Sequence, residues 1–296
     1  MTYNAPPAVA ALAIDSGTSK AHLAPDKALV GGFLAGAYIA FGGLLAIVAS
    51  AGLDPKTWGG VTTVVTGVVF SLGLVLVIVG GAELLTGNMA LIPMAVLDRR
   101  VTVVRMLVNW FWVTIGNLVG SLFVAYVLAD KTGVIKEGVP GSAGSSWIRL
   151  DAITHGKAVT ETHLEQFLRA LGCNWLVCLA VWLALAATSV SGKILAIVFP
   201  ITAFVALGFD HVVANMFFLP LGMWEHAGGV TASNMLLNLV FAYLGNAVGA
   251  AVFVAGAYWY LYVKDAPAVA VAGDAPPVDG TGPQPARNVA GSRTKR

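Results

Sequence analysis

Asp210 and His211 stand side by side inside an apolar run that extends from Ile194 to Leu221. An ionisable side chain in hydrocarbon is costly unless it lines a cavity or meets a partner, so such a pair marks a functional site. The chemistry within reach is proton exchange and hydrogen bonding at the imidazole. Of the five histidines, His211 alone falls within a span. Gly208 before the pair and Pro220 after it punctuate the helix, so the span is expected to break near the middle of the membrane. Irregular backbone at that depth survives only where protein or a water-filled pore satisfies it.

The same pattern occurs earlier. Gly81, Glu83, Asn88-Met89 and Pro93 match Gly208, Asp210, Asn215-Met216 and Pro220 at one offset (208 − 81 = 210 − 83 = 215 − 88 = 220 − 93 = 127). Asn109 and Asn117 recur as Asn238 and Asn246, each 129 residues on (238 − 109 = 246 − 117). The chain therefore contains two copies of one unit. Broken spans at matching places in two halves point to a transport site at the midplane. An acid kept in both copies suits a structural duty, so Asp210, with Asn215, and Glu83 are expected to cap or pin the breaks.

The elements that hold these residues are apolar helices. Hydrophobic residues make up 57% of the chain and charged ones 11%, with a mean hydropathy of +0.80, which describes an integral membrane protein. The formal charge of +2 gives no reason to invoke nucleic acid. No secretory signal opens the chain, and the spans are expected to direct insertion. Cys173 and Cys178 lie within one apolar span and read as small hydrophobes rather than as a disulfide or metal pair.

The hydropathy pattern divides the chain into a mobile tail over 1–27, a transmembrane domain over 28–264 and a disordered Pro/Gly/Ala-rich tail over 265–296. The domain holds six spans, about 29–51, 61–96 with its break, 103–129, 166–190, 194–221 with its break, and 232–263. Three spans per copy force the second copy to enter from the opposite side, so the fold is all-α with two inverted three-helix repeats. Seven Lys and Arg flank the side carrying the termini and six the other, the seven clustered in short connections. That bias predicts cytoplasmic termini and an external 130–164 loop.

The segments GAYIAFGG (36–43), GGAELLTGN (80–88), NWFWVTIGNLVG (109–120), CNWLVCLAVW (173–182) and FPITAFVALGFDHVVANMFFLP (199–220) resemble the formate/nitrite transporter family over roughly 30–262. The resemblance implies an aquaporin-like fold, a homopentamer in the plasma membrane with one pore per protomer, and passage of small monovalent weak-acid anions. Formate and nitrite come first, with hydrosulfide or lactate as alternatives. It places the central pore histidine on His211 and the gating loop on Glu83, Leu84, Leu85, Thr86, Gly87 and Asn88, with Thr86 as the gate. Hydrophobic constrictions fall on Phe70, Leu74 and Phe204, pore-facing asparagines on Asn174 and Asn246, and a vestibule cation on Lys157. Where the family commonly carries Glu before the histidine, this chain has Asp210.

The energetics suit such a pore. A bare anion at an apolar collar loses several kcal/mol of solvation. A small carboxylate titrating near ~3.9 costs about 4 kcal/mol to protonate at neutral pH, so a proton donor at the collar decides which form crosses. His211 is placed to lend that proton or to hydrogen-bond the anion, and a cation in the vestibule gathers anions first. The expected partners are therefore the anion, a proton and the lipid bilayer, with no cofactor, no metal and no enzymatic reaction. A neutral-solute channel of aquaporin type shares the paired half-helices, but neither break reads Asn-Pro-Ala. A haem-bearing redox subunit needs a second intramembrane ligand histidine, and none is present.

Overall fold

The computed structural model describes residues 3–135 and 146–265, and these are helical throughout apart from turns and one isolated bridge. The main helices are α1 (Pro6–Ala21), α2 (Pro25–Ser50), α3 (Val61–Gly80), α4 (Leu85–Leu97), α5 (Val103–Asp130), α6 (Ser146–His155), α7 (His163–Ala186), α8 (Val190–Ala206), α9 (Val212–Trp224) and α10 (Ala232–Tyr262), with short helical turns at Pro55–Trp58 and Gly156–Thr160. Five of them are long and apolar enough to cross a membrane, and α4, α8 and α9 are shorter apolar helices. Spans two and five are thus pairs, α3 with α4 and α8 with α9. Asp265 opens the expected C-terminal tail, and 266–296 and the 136–145 part of the external loop lie outside the described residues.

The two copies pack alike. In the first, α2 lies along α5, where a Cβ on Gly120 would collide with the Phe33 carbonyl. In the second, α7 lies along α10, where a Cβ on Gly249 would collide with the Leu171 carbonyl. Small residues at both crossings let the backbones touch, which is how helices associate without a hydrophobic driving force between them. Gly32 and Gly36 meet the α5 backbone at Gly116 and Asn117, so they serve this internal contact. Both α5 and α10 loosen into a π-helical stretch at matching places, from Val124 and from Ala251 (251 − 124 = 127). The outward faces carry exposed large apolar side chains such as Val104, Leu195 and Phe199.

The N-terminal segment differs from the mobile tail expected over 1–27. Pro6–Ala21 is helix α1, opened by proline in its first turn. It buries Val9, Ala10, Ala13, Ile14, Gly17 and Ala21, and Gly17 sits against the backbone of Leu91 in α4. Asn4 donates from its backbone to Ala186 at 2.8 Å and from its side chain to Leu185 at 2.9 Å, tying the start of the chain to the end of α7. Alanine-rich composition imitates disorder on hydropathy, yet alanine is the best helix former and its small side chain allows close packing.

Candidate transport pathway

Each break is built by the same devices. Gly81 and Gly208 adopt φ of 79° and 71°, a left-handed conformation that other residues adopt only under strain. Ala82 donates to Val77 and Phe209 to Phe204, each five residues back, so both first half-helices end in a Schellman turn. A Cβ would have room at either position, with nothing within 4 Å at Gly81 and only Arg169 at 3.7 Å from Gly208. The glycines are there for backbone shape.

The second half-helices begin at Leu85 and Val212, and asparagines on neighbouring spans cap them. Asn117 accepts from the Leu85 amide at 2.9 Å and donates to the carbonyls of Gly32 and Glu83. Asn246 accepts from the Val212 amide at 2.8 Å and donates to the carbonyls of Ala170 and Asp210. Asn246 was expected as a pore-facing polar residue and Asn117 as structural. The structure gives both one duty, because every N–H of each amide is spent on backbone.

Glu83 and Asp210, expected to cap these helices or pin the breaks, do not cap them and instead anchor a relay. Lys157 donates to Asp210 at 2.6 Å, Asn215 bridges Asp210 and Asn238 at 2.8 Å each, and Asn238 returns to the Lys157 carbonyl at 3.1 Å. On the opposite side Lys20 donates to Glu83 at 2.8 Å, Asn88 bridges Glu83 and Asn109, and Asn109 returns to the Lys20 carbonyl at 2.8 Å. The acids hold the breaks through lysine and asparagine. Lys20 escaped the sequence reading because it is 137 residues from Lys157 (157 − 20), off the 127 register, and sits in the segment taken for a tail.

The gating loop is also shorter than expected. Irregular backbone covers residues 81–84, while Leu85, Thr86, Gly87 and Asn88 form the first turn of α4. The Asn117 cap on Leu85 and the bond from the Asn88 amide to the Leu84 carbonyl close that turn. The N-terminal ends of α4 and α9 meet where Thr86 Oγ1 lies 2.8 Å from His211 Nε2. His211 is the N-cap of α9, and its Nδ1 accepts from the Ala214 amide at 3.1 Å. Nδ1 is therefore unprotonated, the ring is neutral, and its N–H at Nε2 points to Thr86. Both half-helices direct the positive ends of their dipoles at this contact, which favours an anion there. Thr86 is fully buried and His211 nearly so.

A cavity of about 260 Å³ runs from His211 toward the 130–164 connection. Phe70 and Phe204 flank it, edge to face with centroids 5.7 Å apart, and Phe204 stacks on His211 at 6.0 Å. Lys157 and Asn215 stand in its wall. Leu74, expected in the same collar, is buried one turn further along α3 and lies outside the cavity lining. Asn174 is likewise away from the wall, where it donates to the carbonyls of Asn246 at 2.8 Å and Thr86 at 3.2 Å and so holds the α4 start.

Three charged wall residues had no signal in periodicity or motif: Arg149, Glu161 and Arg169. Arg169 donates to Glu161 at 2.9 Å. Burial, then the neighbouring Asp210, push the Glu161 carboxyl up to about 8 against Lys157 and Arg169. Burial by itself would lower Lys157, but Asp210 and Glu161 outweigh it and hold the ammonium above its ordinary value. Near neutral pH the cavity wall is consequently cationic.

Residues 7–260 match the family model described as "Formate/nitrite transporter". A "Probable formate transporter" from Methanothermobacter thermautotrophicus is 47% identical over 249 residues, 81% of this chain and 90% of its own length. Among solved structures, an "FNT family ion channel" superposes with a TM-score of 0.78 at 30% identity, covering 86% of this chain and 98% of the other. A "Pentameric formate channel with formate bound" gives a TM-score of 0.70 at 30% identity, covering 81% and 98%. Paired half-helices meeting at Thr86 and His211 under a cationic cavity are the architecture of a transporter rather than an enzyme, and with these matches the chain belongs to the formate/nitrite transporter family.

Proposed function

We propose that this chain carries formate, and with it nitrite, across the plasma membrane as a weak acid whose proton is managed at His211. The observation that carries this reading is the Thr86–His211 hydrogen bond, which joins the two half-helix N-termini at the floor of the cationic cavity. Lys157 and its neighbours gather the anion, and Phe70 and Phe204 strip its water. At that collar the anion is costly, and His211 Nε2–H is the donor that meets it once Thr86 turns aside. For the ring to act as an acid, a proton must first arrive at Nδ1, at the expense of the Ala214 bond. The ring is then charged only in passing. Release of the Nε2 proton to formate leaves a neutral imidazole and a neutral formic acid, so one proton enters the ring for each one that leaves.

The pentameric formate channel among its structural relatives supports a pentamer here, with the exposed apolar faces against lipid and neighbouring copies. Flux of formate, nitrite, hydrosulfide and lactate into proteoliposomes at two pH values tests the assignment. Formate and nitrite are expected to enter faster at the lower pH, and rates equal to protein-free vesicles for all four would overturn it. In the same assay Thr86→Val removes the acceptor from Nε2 and leaves a buried donor unpaired. The hydroxyl holds the imidazole N–H in line with the pathway, and loss of one such buried bond, worth about 1–1.5 kcal/mol, is expected to lower flux about tenfold with the oligomer intact. Unchanged flux at both pH values would make Thr86 a packing residue.

Cytoplasmic termini follow from the charge bias and place the 130–164 connection outside. The Ser142 portion of that connection lies outside the described residues, whereas Thr132 is exposed beside it. After replacement of the two native cysteines, Thr132→Cys is expected to react with an impermeant maleimide on intact cells. Reaction only after lysis would reverse the orientation.

A further inference from the structure

Arg149 on α6 reaches across to two other helices. Its Nε donates to Ser50 Oγ on α2 at 2.9 Å and its Nη2 donates to Thr66 Oγ1 on α3 at 3.1 Å. Both hydroxyls are buried, and each donates in turn to its own helix, Ser50 to Ala46 and Thr66 to Thr62. The guanidinium plane is thereby fixed at the cavity wall. Two of its five N–H groups are used, and the Nη1 end of the fork has no partner among the described residues.

Each acid nearby already has a partner other than Arg149, although Asp210 Oδ2 and Glu161 Oε2 carry no hydrogen bond. Asp210 is held by Lys157 and Asn215, Glu161 by Arg169, and Asp151 accepts from the Gly228 amide at 2.6 Å. Among the described residues no carboxylate pairs with Arg149. Burial alone accounts for the lowering of its pKa, with no acid acting on it. A half-buried guanidinium, oriented by two hydroxyls and left without a counter-ion on an open cavity, has the form of an anion site. Its planar fork fits an anion with two coplanar oxygens, a geometry that an ammonium does not reproduce.

We propose that Arg149 is a docking site for planar two-oxygen anions, which it grips through two parallel N–H···O bonds before they reach Phe70 and Phe204. The proposal rests on the transport reading above and adds what that reading lacks, a reason for the cavity to prefer carboxylate or nitrite over a single-atom anion. Lys157 supplies attraction without shape, because its ammonium is already tied to Asp210. Arg149 supplies the shape.

The test is the half-saturating concentration of formate, nitrite and hydrosulfide in proteoliposomes for wild type and Arg149→Lys. Lysine keeps the charge and loses the fork. The expected result is a rise of about tenfold for formate and nitrite, the loss of one charge-assisted bond, with maximal flux retained and hydrosulfide unchanged. Equal changes for all three anions would mean that Arg149 only tethers α6 and would overturn the docking role, as would no change at all. The double variant Ser50→Ala/Thr66→Val provides the structural comparison, since it loosens the tether but leaves the guanidinium. It is expected to weaken formate and nitrite less than Arg149→Lys does, and an effect as large or larger also counts against docking. Should the lysine variant not assemble, competition on the wild type decides. Nitrite must then block formate entry at a concentration about tenfold below hydrosulfide, and equal potency refutes the site. Absence of formate flux in the wild type itself would remove the transport reading and this proposal together, whereas normal wild-type flux with an insensitive Arg149→Lys removes the proposal alone.

Discussion

His211→Asn is expected to abolish acid-coupled formate flux while leaving the protein assembled. Asparagine is a favoured N-cap residue, so its side-chain oxygen can take over the bond from the Ala214 amide that His211 Nδ1 now accepts. Its amide N–H can still face Thr86. What disappears is a ring that can pass a proton through, taking one at Nδ1 and giving one from Nε2. A positioned proton donor contributes about 100-fold or more to a proton-transfer step, and a loss of that order is expected in neutral-acid transport. Any flux that remains is expected to be carried by the bare anion and to move net charge. Electrical current measured beside isotope flux in the same vesicles, from pH 5 to 8, separates the cases. Identical current-to-flux ratios for wild type and variant would eliminate the proton-donor role and leave the family assignment intact.

Asn246→Ala is expected to cause one of the two largest losses of stability among single polar-to-alanine changes at the breaks. Its side chain makes three bonds to backbone, at Val212, Ala170 and Asp210, in a site without solvent exposure. Truncation leaves an amide and two carbonyls to find other partners, and a buried unsatisfied group costs about 1–3 kcal/mol, so a loss of about 3 kcal/mol or more is expected. Asn117→Ala removes the matching three bonds in the first copy and is expected to behave alike. Asn246→Asp keeps the acceptor for Val212 and loses both donors, so it should fare little better than alanine. The Tm of the detergent-solubilised oligomer measures all three. A Tm for Asn246→Ala within a degree or two of wild type would show that water or a shifted backbone replaces the cap, and the asparagine would return to the pore-facing role that its motif suggested.

Sequence alone determined what depends on local signals and on length. Apolar runs gave the spans, since crossing hydrocarbon requires about 20 apolar residues in a helix. One offset of 127 residues exposed the duplication and, with three spans per copy, the inversion. Gly81 and Gly208 located both breaks, because few other residues accept a left-handed turn. The family resemblance puts Phe70, Phe204, Lys157 and His211 along the pore, and they do gather on one cavity.

Tertiary structure decided everything that depends on partners far apart in the chain. Lys20 meets Glu83 from 63 residues away, and Arg149 meets Ser50 from 99. No periodicity encodes such distances. The asparagines were legible as a repeated pair, but not their task, because an amide can line a pore or cap a helix and only the orientation of its N–H and C=O groups tells which. Helix α1 was missed because alanine and glycine bury themselves by closeness rather than by hydropathy. The state of His211 depended on the same kind of fact. Its position came from the motif, but the proton on Nε2 follows from one backbone amide, that of Ala214, which points at Nδ1 only once the half-helix is formed.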